Sequence, residues 1–527
     1  MRNKLKIYAA LMVIVVAVTS CAKDLNLKPT NDVTSDVVYA TPAGYKGALA
    51  KVYGSFAQTG NSGAGSGDLG GIDAGTSDFF RLYFGAQELS TDEAVCAWLG
   101  DPGVSEIDQM TWSSTNLMLQ GLYTRSIYQI TLVNEFIRES TDAKLASRNI
   151  TGNDAAEIKY YIAEARFLRA FQYWVLMDLY GNPPFITEND NIGKELPKQT
   201  TRAALFSYVE SELKAVETLL KDPRTNEYGR ADKAAAWALL ARLYLNAQVY
   251  TGSERNADAI TYANKVIGAG YTLHSQYKNL FLADNNVNNP ETIFAIAYDG
   301  VKTQNYGGAT YLINAAINAA MNPTSFGVPN GGWGGNRTRQ NLPNKFTDAS
   351  GATDKRAMFF GDKRNVDDLA TFTDGLAVTK FKNITQSGAT APSVGGTFCS
   401  MDIPLFRLAE AYMIYAEATL RGGNGGSLAT ATSYFNNLRT RAYGNASGNV
   451  ASISLNDILD ERSREFYWEG QRRTDLVRFG KYTDASYLWP YKGGVKAGRG
   501  VETYRNLFPI PSTDIIANPN LKQNTGY

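Results

Sequence analysis

Apolar residues recur at three- and four-residue steps from position 117 to about 270, which is typical of amphipathic helices. The pattern is clearest over 153–180, where Asn153 or Asp154 can cap the first turn and Gly181 stands where a helix-ending glycine belongs. The positions that form its apolar stripe are Ile158, Ile162, Ala165, Leu168, Val175 and Leu179. The same spacing predicts further helices over about 202–221, 232–248, 256–268, 404–421, 428–442 and 455–470.

Two stretches interrupt this helical pattern. Residues 54–75 and about 270–400 are rich in Gly, Asn and Thr and carry few long apolar stripes. The predicted fold is therefore mostly α, with tetratricopeptide-like helix pairs forming a scaffold and a large irregular loop-rich insertion. We expect the scaffold at about 30–270 and 400–527. The loop-rich, ligand-binding portion is expected at about 54–116 and 270–400, since binding residues usually lie on ordered loops of a rigid scaffold.

The N-terminus has the pattern of a secretory signal. Basic residues precede an apolar run over 7–18, which is too short to span a bilayer. Small residues and then Cys21 follow, which resembles a bacterial lipobox. We predict a lipoprotein signal peptide at 1–20, lipidation of Cys21 and a mature body at 21–527. The alternative is an ordinary signal peptide with an incidental cysteine.

Composition excludes several classes of protein. Lys plus Arg total 52 and Asp plus Glu total 51, so the net charge of +1 gives no basic excess for a nucleic-acid partner. A single histidine, His274, excludes an HExxH zinc site, and three cysteines without a CxxC make thiolate metal sites unexpected. We therefore expect no metal and no cofactor. The 31 Tyr, 23 Phe and 7 Trp favour ring stacking over acid–base chemistry at histidine.

Two motifs suggest other chemistry but lack the context it needs. The string at 65–70 matches GxGxxG, yet no β-rich run precedes it. Asp92 and Glu93 are paired carboxylates, but adjacent side chains rarely aim at one substrate atom. We therefore expect no catalytic residue in this chain.

The densest charge cluster lies at 461–475. Glu461, Glu465 and Glu469 fall at four-residue steps on one predicted helix face and would repel one another if unpaired. The arginines that can neutralise them are Arg464, Arg472, Arg473 and Arg478. We interpret the cluster as a structural Arg–Glu clasp between helices; the alternative is an active site.

Several ordered strings resemble the SusD/RagB family of outer-membrane nutrient-binding lipoproteins. The resemblance runs along the whole chain, and the strings lie at 163–170, 179–181, 403–418, 437–442, 461–475, 508–511 and 523–527. It implies a mostly α-helical fold with tetratricopeptide-like pairs. It also implies a lipid-anchored protein exposed on the cell surface at the outer membrane. Such a protein captures a glycan and delivers it to a SusC-like TonB-dependent transporter, without being an enzyme.

The ligand site is expected where exposed aromatic rings can stack on sugar faces. Trp333 is the first candidate, because four glycines flank it and give no bulk to bury it. Asn336 and Arg337 follow it directly. Trp174, Trp237 and Trp468 lie in helical stripes and are predicted to be core.

The family resemblance adds a second group of candidates. Trp98 lies in a segment that is similar to the one from which starch-binding members supply a stacking Trp, which makes Arg81 and Asp101 hydroxyl partners. This is also the basis for preferring an α-glucan such as starch. The region before Trp333 resembles the source of a further aromatic, and the candidates there are Tyr298, Asp299 and Tyr306.

Three alternative functions stay open at this point. A peptide-capturing lipoprotein would use the same architecture, with backbone-pairing groups in place of aromatics. A glycoside hydrolase would need two carboxylates converging in a cleft. A protein-interaction scaffold would have no small ligand.

Overall fold

The computed structural model describes residues 34–190 and 193–527, so the predicted signal peptide and Cys21 lie outside the described residues. The helices are α1 Ser35–Val38, α2 Pro42–Gly54, α3 Phe79–Phe84, α4 Val104–Gln109, α5 Leu117–Glu139, α6 Asp142–Ser147, α7 Gly152–Leu179, α8 Arg202–Val216, α9 Lys233–Leu245, α10 Ala247–Thr251, α11 Asn256–Ile267, α12 Gly308–Asn314, α13 Leu408–Leu420, α14 Leu428–Tyr443, α15 Leu455–Phe466, α16 Arg472–Arg478 and α17 Ser512–Ala517. A π-helical turn, Gly85–Leu89, follows α3 directly. The strands are β1 Val95–Cys96, β2 Pro184–Phe185, β3 Lys198–Gln199, β4 Thr292–Ile296, β5 Asn336–Arg337, β6 Phe359–Phe360, β7 Ala377–Val378 and β8 Ile403–Arg407.

The long helices stack in chain order, which confirms the predicted mostly α fold. Helix α5 packs on α7, α7 on α8, α8 on α9, α9 on α11, α11 on α13 and α13 on α14. Each helix therefore buries its apolar face against its neighbours in sequence, as in a tetratricopeptide array. One continuous hydrophobic core runs through the stack and includes Trp174 and Trp468 as predicted, while Trp237 packs at its edge half-buried.

Helix bounds agree with the apolar spacing within a few residues, and the differences have local causes. Helix α7 ends before Gly181, whose φ of 74° is left-handed as expected. The predicted cap was wrong, because α7 already begins at Gly152 and Asn153 and Asp154 lie inside its first turn.

Three predicted helices are shorter than expected. The helix predicted over 202–221 ends at Val216. The start of 404–421 is strand β8, which pairs antiparallel with β4, and α13 begins only at Leu408. The stretch 455–470 ends its helix at Phe466, since Trp468 and Gly470 both adopt positive φ in the following turn.

Between α11 and α13 the chain folds as short elements tied back to the scaffold. Four two-stranded antiparallel pairs are present in the described part of the chain, joining β1 to β5, β2 to β3, β4 to β8 and β6 to β7. The β1–β5 pair joins Val95 to Arg337 and Cys96 to Asn336, and so it connects the two loop-rich stretches of the sequence.

The charge cluster is a buried structural clasp, as interpreted, but most of its arginines are not the predicted ones. Arg464 does pair with Glu461, at 2.6 Å. Glu465 is held by arginines from distant segments, Arg407 at 2.5 Å and Arg356 at 3.0 Å. Three predicted partners pair with other groups instead: Arg472 with Asp92 at 2.7 Å, Arg473 with Asp178 at 3.7 Å and Arg478 with Glu417 at 2.7 Å.

Pairing and burial move the pKa values of carboxyl groups in opposite directions. Burial acts against ionisation at Glu461, but the guanidinium groups of Arg356 and Arg464 prevail and lower its pKa to about 2. At other buried sites desolvation prevails, and it raises the pKa of several carboxyls that have weaker partners. These values are about 6 for Asp78 and about 7 for Glu93, Asp108 and Asp402.

We expect the protein to be more stable at pH 5.5 than at pH 7.5. A carboxyl whose pKa is raised on folding binds more protons in the native state, so its contribution falls as pH rises from its unfolded value towards 7. His274 opposes this trend, because burial lowers its pKa, and so do Lys380 and Lys492, whose pKa values burial lowers to about 8. The carboxyls with raised pKa values, which also include Glu88 and Asp232, outnumber these groups. The melting temperature should be higher by about 3 °C at pH 5.5. An equal or lower value there would contradict this expectation, and Asp402→Asn should reduce the dependence.

No helix in the described part of the chain is both long and apolar enough to cross a bilayer. Within the same residues, no group of three or more His, Cys, Asp or Glu side chains is placed to hold a metal ion.

Candidate functional site

An open pocket of about 890 Å³ lies where the two loop-rich stretches meet. Five of the nine predicted site residues line it: Arg81, Trp98, Asp101, Tyr306 and Trp333. The other lining residues are Gly71, Ile72, Asp73, Thr76, Pro102, Val104, Leu117, Met118, Asn330 and Thr397.

Three aromatic rings follow one another along the pocket. Trp333 is in the middle, with its ring centroid 6.5 Å from that of Trp98 and 6.4 Å from that of Tyr306. The ring planes are tilted by 42° for the first pair and by 47° for the second. The rings therefore form an angled series rather than one flat platform.

The Trp333 loop is fixed by the end of helix α12. The backbone N–H of Trp333 donates to the carbonyl of Asn314 at 2.8 Å, and that of Gly334 donates to the carbonyl of Ile317 at 2.8 Å. The N–H of Gly335 donates to the carbonyl of Ala315, also at 2.8 Å. Carbonyls at the end of a helix lack partners within it, so the loop satisfies them and is held in return.

Trp98 is held against the same loop. Directly after β1, the N–H of Ala97 donates to the carbonyl of Gly335 at 2.8 Å, which extends the β1–β5 pairing. A Cβ atom at Gly335 would lie 2.6 Å from Cε2 of Trp98, so the indole rests on a position that has to be glycine. Gly335 therefore makes room for the second tryptophan.

Arg81 lies beneath the rings, with its guanidinium beside Asp101. It is only 8% exposed, and its guanidinium lies 4.6 Å from the ring centre of the buried Tyr311 and 5.8 Å from that of Trp98. Its NH2 group is 3.8 Å from Oδ2 of Asp101, whose side chain is half exposed. Its Nε has no hydrogen-bond partner in the protein, but it is buried and not open to a ligand. The NH2 group of Arg81 and the carboxylate of Asp101 are the donor and the acceptor beside the stacking rings.

Three predicted site residues are wrong as ligand contacts, because they are buried away from the pocket. Tyr298 donates its hydroxyl to the carbonyl of Phe56 at 3.5 Å. Asn336 accepts from the Tyr311 hydroxyl at 3.0 Å, and Arg337 donates to backbone carbonyls such as that of Asp374 at 2.7 Å. The glycine run suggested an exposed loop through 337, but the chain enters strand β5 at Asn336 and turns inward.

Asp299 is partly exposed but is not among the pocket residues. Its Oδ1 accepts from the backbone N–H groups of Val301 at 2.8 Å and Lys302 at 3.0 Å. The side chain therefore stabilises its own turn.

Sequence reasoning missed two kinds of residue. Asp73, Thr76, Asn330 and Thr397 add polar groups to the pocket wall, and nothing in their local sequence distinguishes them. Tyr311 supports Arg81 and Trp98 from below, since its ring centroid is 6.0 Å from that of Trp98. Its place on α12 could be inferred, but its contacts with residues from another stretch could not.

The motifs that suggested other chemistry are not in the pocket. Asp92 and Glu93 are fully buried, and Arg472 lies 2.7 Å from the first carboxylate and 3.3 Å from the second. The GxGxxG string lies within residues 55–78, all of them described, which contain neither a strand nor a helix. No nucleotide loop of the strand–turn–helix type is therefore formed there.

The overall fold is similar to those of solved SusD-like proteins. Surface glycan-binding protein A from Bacteroides thetaiotaomicron superposes with a TM-score of 0.71 at 22% identity, covering 93% of this chain and 100% of that one. A structure of that protein in complex with laminarihexaose gives a TM-score of 0.69 at 22% identity, covering 91% of this chain and 98% of the other. A SusD superfamily protein from Bacteroides vulgatus gives 0.68 at 21% identity, with 92% and 99% covered.

Sequence comparisons give a nearer relative. The starch-binding protein SusD of Bacteroides thetaiotaomicron is 37% identical, over 99% of this chain and 98% of that protein. SusD-like protein P2 of Formosa agariphila is 25% identical over 81% of this chain and 85% of its own length. The profile of the SusD family matches residues 362–527, and a profile described as starch-binding associating with outer membrane matches residues 91–245. The chain therefore belongs to the SusD/RagB family.

Proposed function

We propose that this protein captures a glycan in the pocket formed by Trp98, Trp333 and Tyr306, and that the glycan is an α-glucan. The angled series of three rings is the observation that carries the proposal, because aromatic planes stack on the apolar faces of sugar rings. Arg81 and Asp101 beside the rings supply a donor and an acceptor for sugar hydroxyls. The full-length relative whose name includes starch binding supports the same ligand class.

The tilt between the rings favours a coiled glycan over a flat one. Neighbouring planes differ by 42° and 47°, so a chain that stacks on all three rings has to turn as it passes them. α-1,4-Linked glucans coil, whereas β-1,4-linked glucans extend as flat ribbons. β-1,3-Linked glucans also coil, and a structural relative is described as laminarin-binding, so laminarin is the second ligand to test.

The pocket is less suited to the two other ligand-directed functions. A captured peptide would need free backbone groups to pair with, but the N–H groups of 333–336 are all used on carbonyls of residues 314–317. A hydrolase would need paired carboxylates that converge in the cleft, and the adjacent pair Asp92–Glu93 is buried elsewhere. The pocket's own carboxylates have other partners, since Asp73 accepts from the N–H and hydroxyl of Thr76 and Asp101 lies 3.8 Å from Arg81. We therefore propose binding without catalysis.

The proposal includes the protein's place in the cell. The relationship to a family profile described as associating with the outer membrane supports attachment there, with Cys21 as the lipidated residue. We propose exposure at the cell surface and delivery of the glycan to a SusC-like TonB-dependent transporter.

Native affinity electrophoresis of residues 22–527 tests the ligand class. Gels containing amylopectin should retard the protein, while gels containing hydroxyethyl cellulose should not, since the flat polymer cannot follow the tilted rings. Retardation by laminarin alone would reassign the ligand to a β-1,3-glucan. Retardation by none of the three polymers would refute the glycan proposal and redirect the search to peptides.

A further inference from the structure

Two of the chain segments that line the pocket are far apart in sequence. One part, residues 71–81, ends with Arg81 on α3, and the other, residues 306–335, begins with Tyr306 and contains α12 and Trp333. Their relative position decides whether the ring series and the Arg81 donor face the same ligand. A contact that joins the two parts therefore controls the geometry of the site.

One carboxylate oxygen makes that connection. Oδ1 of Asp78 accepts from the backbone N–H of Arg81 at 2.9 Å, which caps α3. The same atom accepts from the backbone N–H of Gly308 at 2.8 Å, at the first residue of α12. Asp78 is 1% exposed, so water does not compete for these bonds.

The backbones also touch directly at this point. A Cβ atom at Gly307 would lie 2.1 Å from Cβ of Asp78, and a Cβ atom at Gly75 would lie 2.6 Å from Cβ of Tyr306. Both positions therefore need glycine for the two parts to approach this closely. Because Tyr306 is two residues before Gly308, a shift of α12 away from Asp78 moves a stacking ring as well.

We propose that Asp78 is a positioning residue for the ligand site, holding the start of α12 against the start of α3. The inference rests on the proposed function only for its binding readout. The hydrogen bond from Asp78 to Gly308 fixes the start of α12. That helix carries Tyr311, which contacts Arg81 and Trp98, and its C-terminal end supplies carbonyls that hold the Trp333 loop. Loss of the Asp78–Gly308 hydrogen bond makes the positions of all three rings relative to Arg81 less well fixed. It does so without removing any group that touches the ligand.

The ionisation of Asp78 fits this role. Burial raises the pKa of its carboxyl to about 6, against the opposing effect of two backbone N–H donors and the nearby Arg125. The group is therefore mainly charged at pH 8, and charge strengthens the hydrogen bonds it accepts.

The chain offers a matched control elsewhere. Asp232 is likewise buried and caps α9, accepting with Oδ1 from the N–H groups of Ala234 at 2.8 Å and Ala235 at 3.2 Å. Its Oδ2 accepts from the N–H of Arg224 at 2.7 Å, so it too joins two segments. It is not among the residues of the ligand pocket.

The test compares Asp78→Ala, Asp78→Asn and Asp232→Ala in residues 22–527 at pH 8. Hydrogen exchange at the amides of Arg81 and Gly308 is measured without ligand, and affinity is measured by calorimetry with maltoheptaose. Asp78→Ala should accelerate exchange at both amides and weaken binding by about tenfold or more. Asp78→Asn keeps an acceptor oxygen and should stay within about threefold, while Asp232→Ala should stay within about twofold.

The outcomes separate the two proposals. Unchanged exchange at both amides in Asp78→Ala, or an equal loss of affinity in Asp232→Ala, would overturn the positioning role. If the unmodified chain binds neither maltoheptaose nor laminarihexaose, the proposed function fails instead, and exchange at Arg81 and Gly308 still decides the role of Asp78. Should Asp78→Ala not fold, exchange in a folded Asp78→Asn decides the question. Faster exchange at both amides than in the unmodified chain, caused by the loss of charge, would support the role, and unchanged exchange at both would reject it.

Discussion

Replacing Arg407 with methionine is expected to lower the free energy of unfolding by about 3–5 kcal/mol, because it removes the cation that three buried carboxylates share. The guanidinium lies 2.5 Å from Glu465, 2.8 Å from Glu469 and 2.9 Å from Glu291. All four side chains are almost completely buried. Methionine fills similar space but supplies no charge. The three carboxylates then keep only Arg356, Arg441 and Lys380 as partners, in a medium that solvates charge poorly. Urea unfolding followed by circular dichroism measures the change.

Arg255→Met is the control for this variant. Arg255 also pairs with two carboxylates, Glu210 at 3.1 Å and Asp258 at 2.5 Å, but its side chain is 33% exposed. An exposed pair of this kind contributes only about 0–1 kcal/mol. The effect of Arg407→Met should also shrink near pH 4, where the released carboxyls can take up protons. A loss below about 1 kcal/mol at pH 7 would show that the clasp is not what holds these segments together.

Replacing Trp333 with alanine is expected to weaken glycan binding by about thirtyfold or more, the range of a large aromatic at the centre of an interface. Trp333 is the middle ring, so its loss separates Trp98 from Tyr306 and leaves no continuous stacking surface. Trp98→Ala should have a comparable effect, because it also removes the ring against which the Arg81 guanidinium lies. Calorimetry with maltoheptaose measures both changes, at a temperature where each variant is folded.

Trp237→Ala is the matched control for the two pocket variants. Trp237 is also half-buried, but it lies on α9, where its Nε1 donates to Glu217 at 2.7 Å. Its removal should lower stability and leave affinity unchanged. Wild-type affinity in a folded Trp333→Ala would place the ligand somewhere other than this pocket.

These predictions depend on the separate positions of the clasp and the pocket in the fold. Strand β8 carries Arg407 and leads into α13, while β1 and β5 bring the two tryptophans together. The Arg–Glu pairs lie in the core, whereas the rings lie where loops meet at the surface. A substitution in the clasp should therefore lower stability more than it changes affinity. A substitution of a pocket ring should change affinity more than stability.

The helical scaffold and the family can both be predicted from the sequence. Helices α7, α8, α11 and α14 lie within a few residues of the apolar spacing that predicts them, since that spacing is a property of short windows of chain. The sequence also singled out Trp98, Trp333, Arg81, Asp101 and Tyr306 as candidates, and the structure brings all five to one pocket. These inferences rest on local pattern and on resemblance, neither of which requires the path of the chain to be known.

Which side chains meet could not be predicted from the sequence. Asn336 and Arg337 follow a glycine run, which predicts that they are exposed. Both residues instead pair with β1 and are buried in the core. Glu465 is neutralised by Arg356 and Arg407, which are 109 and 58 residues away, rather than by its sequence neighbours. The bond from Asp78 to Gly308 spans 230 residues. Such contacts depend on how the loops return to the scaffold, because side-chain spacing along a helix or strand carries no information about which distant segment will lie beside it.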